Sequence, residues 1–154
     1  MHPIISRFEN IKSLINNSNV KIIAVSKTFS YDEISPLCDY GHLHFGESKV
    51  QEAHSKWAEI KKKKQEKNLH MIGKLQSNKA KEAIKLFDYI HSLDNQKLAN
   101  NLAKHESLSN KKLKYFIQVN IGNEKQKSGI RIELLDDFYY YCTKELNINI
   151  IGLM

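Results

Sequence analysis

The chain has 154 residues and a net charge of +7, a length that suits one domain around a single apolar core. No apolar run reaches membrane-spanning length, and Met1 to Asn17 scatters charge where an export signal would be apolar, so the chain is read as cytoplasmic, with no membrane partner. Composition also excludes a disordered, collagenous or coiled-coil chain.

Short apolar runs alternate with longer amphipathic ones. A helix over Ile5–Ile15 precedes a strand at Lys21–Ser26, and a second strand follows at Leu43–Phe45. Val50, Ala53, Trp57 and Ile60 form one helical face, which ends in Lys61–Lys64 and Lys67. Lysines suit a helix C-terminus, where the macrodipole is negative. Aromatic residues do not interleave with this run, so a solvated helix end is expected in preference to a nucleic-acid contact. Next come a strand at Leu69–Ile72, a helical stripe of Ala80, Ala83, Ile84 and Phe87 with Ser77 as its N-cap, and a strand at Tyr89–Leu93. Asp94 would cap the helix carrying Leu98 and Leu102. A strand at Leu113–Ile121, a stripe of Leu135, Phe138, Cys142 and Leu146, and a strand at Ile148–Leu153 complete the pattern. Cys38 and Cys142 lie outside any CxxC or Cys/His spacing and are expected to be reduced, half-buried thiols.

Six strands separated by helix-length segments imply an α/β fold with parallel pairing, either an open doubly wound sheet or a (β/α) TIM-type barrel. The first strand ends in Ser26-Lys27-Thr28-Phe29 without the glycine fingerprint of a dinucleotide fold, which favours the barrel. A full barrel has eight strands and about 250 residues. Six of eight strands are present, so residues 1–154 are read as a single partial barrel domain that ends early.

Four segments could carry chemistry. Strand alternation puts Ile23, Val25 and Lys27 on one face, with the Lys27 amine at the strand's C-terminal end, where apolar neighbours would partly desolvate it. An ordinary surface lysine is the competing reading. Gly41–Ser48 carries His42 and His44, expected on the same side and facing solvent at a barrel rim, without the third ligand that a metal would need. His70–Lys79 runs from a strand through a polar loop into a helix. Gln118–Gly122, with Lys127-Ser128-Gly129, places an amide and an amine beyond the fifth strand.

In this order, Ala24–Lys27, Phe45-Gly46-Glu47, Val50-Gln51-Glu52, His70–Lys79, Gln118–Asn120, Lys127–Gly129 and Gly152–Met154 resemble the pyridoxal-phosphate homeostasis family. The resemblance implies a barrel like the N-terminal domain of alanine racemase, binding pyridoxal 5′-phosphate (PLP) as a Schiff base on Lys27. It implies intracellular PLP (vitamin B6) homeostasis without established turnover. Asn120 and Lys127 stand where distant racemases carry an aspartate and an arginine near the cofactor. Ser48 replaces the family's usual asparagine, so a contact there would reach less far. The phosphate grip, and an arginine near the pyridine nitrogen, are expected beyond Met154. An amino-acid racemase-like enzyme is the alternative, although two-base racemisation draws its second base from a separate domain.

Overall fold

The computed structural model describes residues 1–154 and is organised around six parallel strands whose spatial order is their order in the chain. These are β1 (Ala24–Val25), β2 (His44–Glu47), β3 (Asn68–Met71), β4 (Tyr89–Leu93), β5 (Lys114–Ile117) and, after a separate pair formed by β6 (Val119–Asn120) and β7 (Ile130–Arg131), β8 (Ile150–Leu153). Helix α1 (Pro3–Ser13) precedes β1. Between strands lie α2 (Tyr31–Asp39), α3 (Val50–Lys63), α4 (Ala80–Leu86), α5 (Gln96–Ser109) and α6 (Leu135–Tyr140). A doubly wound sheet would reverse its strand order at a switch point. This sheet never reverses, so the fold is the (β/α) TIM-type barrel arrangement, with β1 and β8 as unpaired edges.

Helix α2 had no counterpart among the expected elements, although Ile34, Leu37 and Cys38 keep helical spacing; Pro36 within it interrupts the backbone ladder. Local hydrogen bonds restore it. Ser30 N–H donates to Glu33 Oε2 at 2.8 Å, and Glu33 N–H donates to Ser30 Oγ at 3.4 Å, a reciprocal capping box. Pro36 cannot donate to the Asp32 carbonyl, and the Ser35 hydroxyl donates there instead at 3.1 Å. Two expected caps are displaced. Asn95 caps α5 by accepting from Leu98 N–H at 2.8 Å, while Asp94 accepts from Gly129 N–H at 3.0 Å. Ser77 opens a 3-10 turn and caps nothing.

One sheet face is dry against the helices. Phe45, Leu69, Ile90 and Tyr115 pack there with Trp57, Ile84, Phe87, Leu98 and Leu102, all fully buried. The Phe45 and Trp57 rings stand 5.0 Å apart. Alternate residues of the same strands, His44, Gly46, His70, His91 and Phe116, turn to the opposite face. Both cysteines are free and more deeply buried than expected. The lysine run is only partly solvated. Lys61 donates to Asp88 Oδ2 at 2.6 Å, and buried Lys67 donates to the Cys38 and His42 carbonyls at 2.9 and 3.0 Å, closing the end of α2.

Unpaired parallel edges and exposed apolar groups at Val25, Ile151, Leu153 and Met154 predict that residues 1–154, made alone, self-associate. Sedimentation velocity across a concentration series should show oligomers growing with concentration. A monomer with a sharp cooperative melt would contradict this.

Candidate functional site

Lys27 lies in the turn that leaves the C-terminal end of β1, the end at which barrel sites form. Beneath it, Ser26 is buried and extends the ladder through its N–H to the Gly46 carbonyl at 2.9 Å. Ser26 Oγ donates to Glu47 Oε1 at 2.8 Å, and Lys56 Nζ and Trp57 Nε1 reach the same oxygen at 2.8 and 2.9 Å. Lys56 Nζ also donates to the Ser26 carbonyl at 2.5 Å. On the far side of Lys27, Thr28 N–H donates to Glu52 Oε1 at 2.5 Å with Thr28 at φ +68°. Both neighbours of Lys27 are therefore tied to α3, while Lys27 is exposed and makes no hydrogen bond or ion pair. Lys27 lacks the apolar cover expected for it. As an edge strand, β1 has no neighbour on one side, and Val25 below Lys27 is 48% exposed.

Ser48 follows β2, half-buried and without a hydrogen bond. A Cβ on Gly73 would stand 2.3 Å from the Ser48 carbonyl oxygen, so the loops after β2 and β3 meet backbone to backbone and require glycine there. Ser48, Lys49, Gln51, Lys74, Gln76 and Lys79 line a hollow of about 310 Å³ between these loops. Asn120 and Lys127 lie beyond β5, and no contact joins them to Lys27 or Ser48. Asn120 organises its own loop, donating to the Glu124 carbonyl at 2.7 Å and accepting from Glu124 N–H at 3.2 Å. Lys127 pairs with Glu124 at 3.2 Å.

The histidines depart from expectation. His42 and His44 point to different sides and neither is solvent-facing: the His42 ring packs on Phe8 and Phe45, whereas His44 Nδ1 meets His70 Nε2 at 2.9 Å. His70 Nδ1 then meets His91 Nε2 at 2.9 Å, making a hydrogen-bonded chain of three imidazoles across β2, β3 and β4. Tyr89 stacks on His70 and Phe116 on His91. Sequence reasoning passed over this chain, although its members occupy matching alternate positions on neighbouring strands. Burial pushes all three imidazoles below their ordinary values, His70 to about 3, with His91 and His44 adding to the effect there.

Residues 2–154 match the family described as alanine racemase, N-terminal domain. A pyridoxal phosphate homeostasis protein of Pasteurella multocida is 40% identical over 120 residues, covering 77% of this chain and 52% of the relative. One from Aquifex aeolicus is 34% identical over 134 residues, covering 87% of this chain and 58% of its own length. The chain thus spans little more than half the length of these curated relatives. Among solved structures, PipY of Synechococcus elongatus superposes without PLP at a TM-score of 0.89 and 34% identity, over 97% of this chain and 68% of PipY. Its PLP-bound form superposes at 0.86 and 33% identity with the same coverage.

His70 generates a pH dependence. The unfolded imidazole titrates near 6.5, so the folded state binds fewer protons than the unfolded state once pH falls below that value. The stability held by neutral His70 is complete above pH 6.5 and is lost progressively toward pH 3. Between pH 7.5 and 4.5 the chain should lose about 2 kcal/mol more than a His70→Gln variant, read as urea unfolding free energies. Equal losses would remove His70 as the cause.

Proposed function

The chain belongs to the pyridoxal phosphate homeostasis protein family within the alanine racemase N-terminal fold, and on that footing we propose that it holds PLP covalently through the amine of Lys27, storing the cofactor in the cytoplasm without turning over a substrate. The observation that carries this reading is the state of Lys27: an unpaired amine at the strand end where barrel sites form, on a turn whose two flanking residues are both tied down. The structure of PipY with PLP bound supports it. PLP, when bound, supplies an aldehyde carbon for that amine to attack.

The residues present suit such a ligand. Lys27 has no carboxylate to give up. The lysines Lys49, Lys74 and Lys79 around the neighbouring hollow are free of ion pairs and, with Ser48, offer donors to an anion at the same C-terminal end of the strands. Asn120 and Lys127 stand as second-rank contacts that would have to leave their own loop bonds. Turnover of the racemase kind would need an acid or base on each face of the substrate carbon. The ionisable groups nearest Lys27 in the chain's bonding are engaged: Glu47 and Lys56 with each other and with Ser26, and Glu52 with Thr28 N–H.

Two outcomes follow from this reading. Mixed with PLP and reduced with borohydride, the chain should carry a pyridoxyl group predominantly on Lys27, and mass spectrometry of Lys27→Ala should lose that adduct. Labels spread evenly over the surface lysines, unchanged in the variant, would defeat the reading. Titrated in parallel, PLP should outbind unphosphorylated pyridoxal by less than about tenfold, with the difference shrinking as salt screens the lysines. A large, salt-resistant preference would show a built phosphate site within these residues.

A further inference from the structure

We infer that Glu52 is the positioning residue for Lys27, an assignment that rests on Lys27 being the amine that holds the cofactor. Lys27 makes no hydrogen bond or ion pair of its own, so its direction is inherited from Ser26 and Thr28. Thr28 is the weak point of that turn. At φ +68° it occupies the left-handed region, which β-branched side chains strongly disfavour. Something must hold it there.

The bond available is from Thr28 N–H to Glu52 Oε1 at 2.5 Å, a charge-assisted contact. Glu52 is well placed to supply it. It sits in the first turn of α3, where the helix dipole favours a carboxylate, and Lys56 stands one turn further on at 3.7 Å. Lys56 simultaneously holds the Ser26 carbonyl. Residues one turn apart on α3 therefore grip the backbone on either side of Lys27. Freed of Glu52, Thr28 would relax to negative φ and rotate the Lys27–Thr28 peptide, turning the amine away from the direction fixed by β1. Lys56 and Glu47 cannot be probed cleanly, since both are buried and support the core, but the Glu52 side chain is 32% exposed and its hydrogen bond goes to the turn.

The test uses the full chain and two readouts. The first, made without cofactor, is hydrogen exchange at the Thr28 amide by fragment-resolved mass spectrometry. The second is the rate of borohydride-trapped PLP labelling at Lys27, with Trp57 fluorescence confirming that each variant is folded. Glu52→Ala should speed Thr28 exchange about tenfold or more and slow Lys27 labelling by about the same factor. Glu52→Gln should stay near the unsubstituted chain in both, because its amide oxygen accepts the same bond. Adding Thr28→Gly to Glu52→Ala should recover labelling but not slow exchange, since glycine adopts this φ without strain. Unchanged labelling in Glu52→Ala would overturn the assignment, whatever the exchange shows. Even labelling of all lysines in the unsubstituted chain would overturn it together with the reading of Lys27, and is recognisable because Thr28 exchange would still respond to Glu52.

Discussion

The Glu47 carboxylate lies wholly out of water between β2 and α3, and one of its oxygens accepts from a serine, a lysine and an indole. A buried carboxylate without partners would be untenable, and this one is paired at 2.8 Å with a lysine that is itself almost fully buried. Each donor comes from a different requirement of the fold. Ser26 directly follows β1 and extends its ladder, Trp57 is the largest side chain in the core, and Lys56 reaches past the carboxylate to the backbone before Lys27. Removing any of them leaves a charge or a polar group stranded in the core, at a cost of roughly 3–5 kcal/mol if the ion pair is broken. The other oxygen, Oε2, is buried and has no partner. Strand, helix and turn are thus registered by one group.

Cation placement follows the same logic. A chain of net charge +7 would ordinarily wear its lysines on the surface, yet Lys56, Lys61 and Lys67 are turned inward onto carbonyls and carboxylates at helix ends and strand entries. Their aliphatic stems add to the apolar packing while their ammonium groups satisfy backbone oxygens that would otherwise be unpaired. The lysines left unpaired include Lys27, Lys49, Lys74 and Lys79, all in segments that join a strand to the helix after it.

Much of this was legible beforehand. Strand positions could be read to within a few residues, because β-branched and aromatic runs bounded by polar segments have few other uses, and the absence of glycine after β1 favoured the barrel. Family motifs, in order, carried the kinship. What could not be read depended on partners distant in sequence. Pro36 hid α2, since its compensation is a hydroxyl bond visible only in three dimensions. Asp94 lost its capping role to Asn95 because Gly129, far along the chain, claims its carboxylate. The exposure of Lys27 reflects the edge position of β1, which composition does not reveal. Glu47 and Glu52 stood within recognised motifs, but their hold on the turn required the pairing of α3 with β1.

The imidazole chain across β2, β3 and β4 also limits its own proton arrangements. His70 uses both ring nitrogens, one toward His44 and one toward His91. When all three rings are neutral, each contact needs one donor and one acceptor. Only two assignments satisfy both contacts: every ring protonated at Nδ1, or every ring protonated at Nε2. The three tautomers are therefore a single collective variable, and a proton shift at one ring obliges the others to follow. The helix-free face of this sheet carries a switchable dipole running across the strands, perpendicular to the backbone direction that the parallel sheet itself defines.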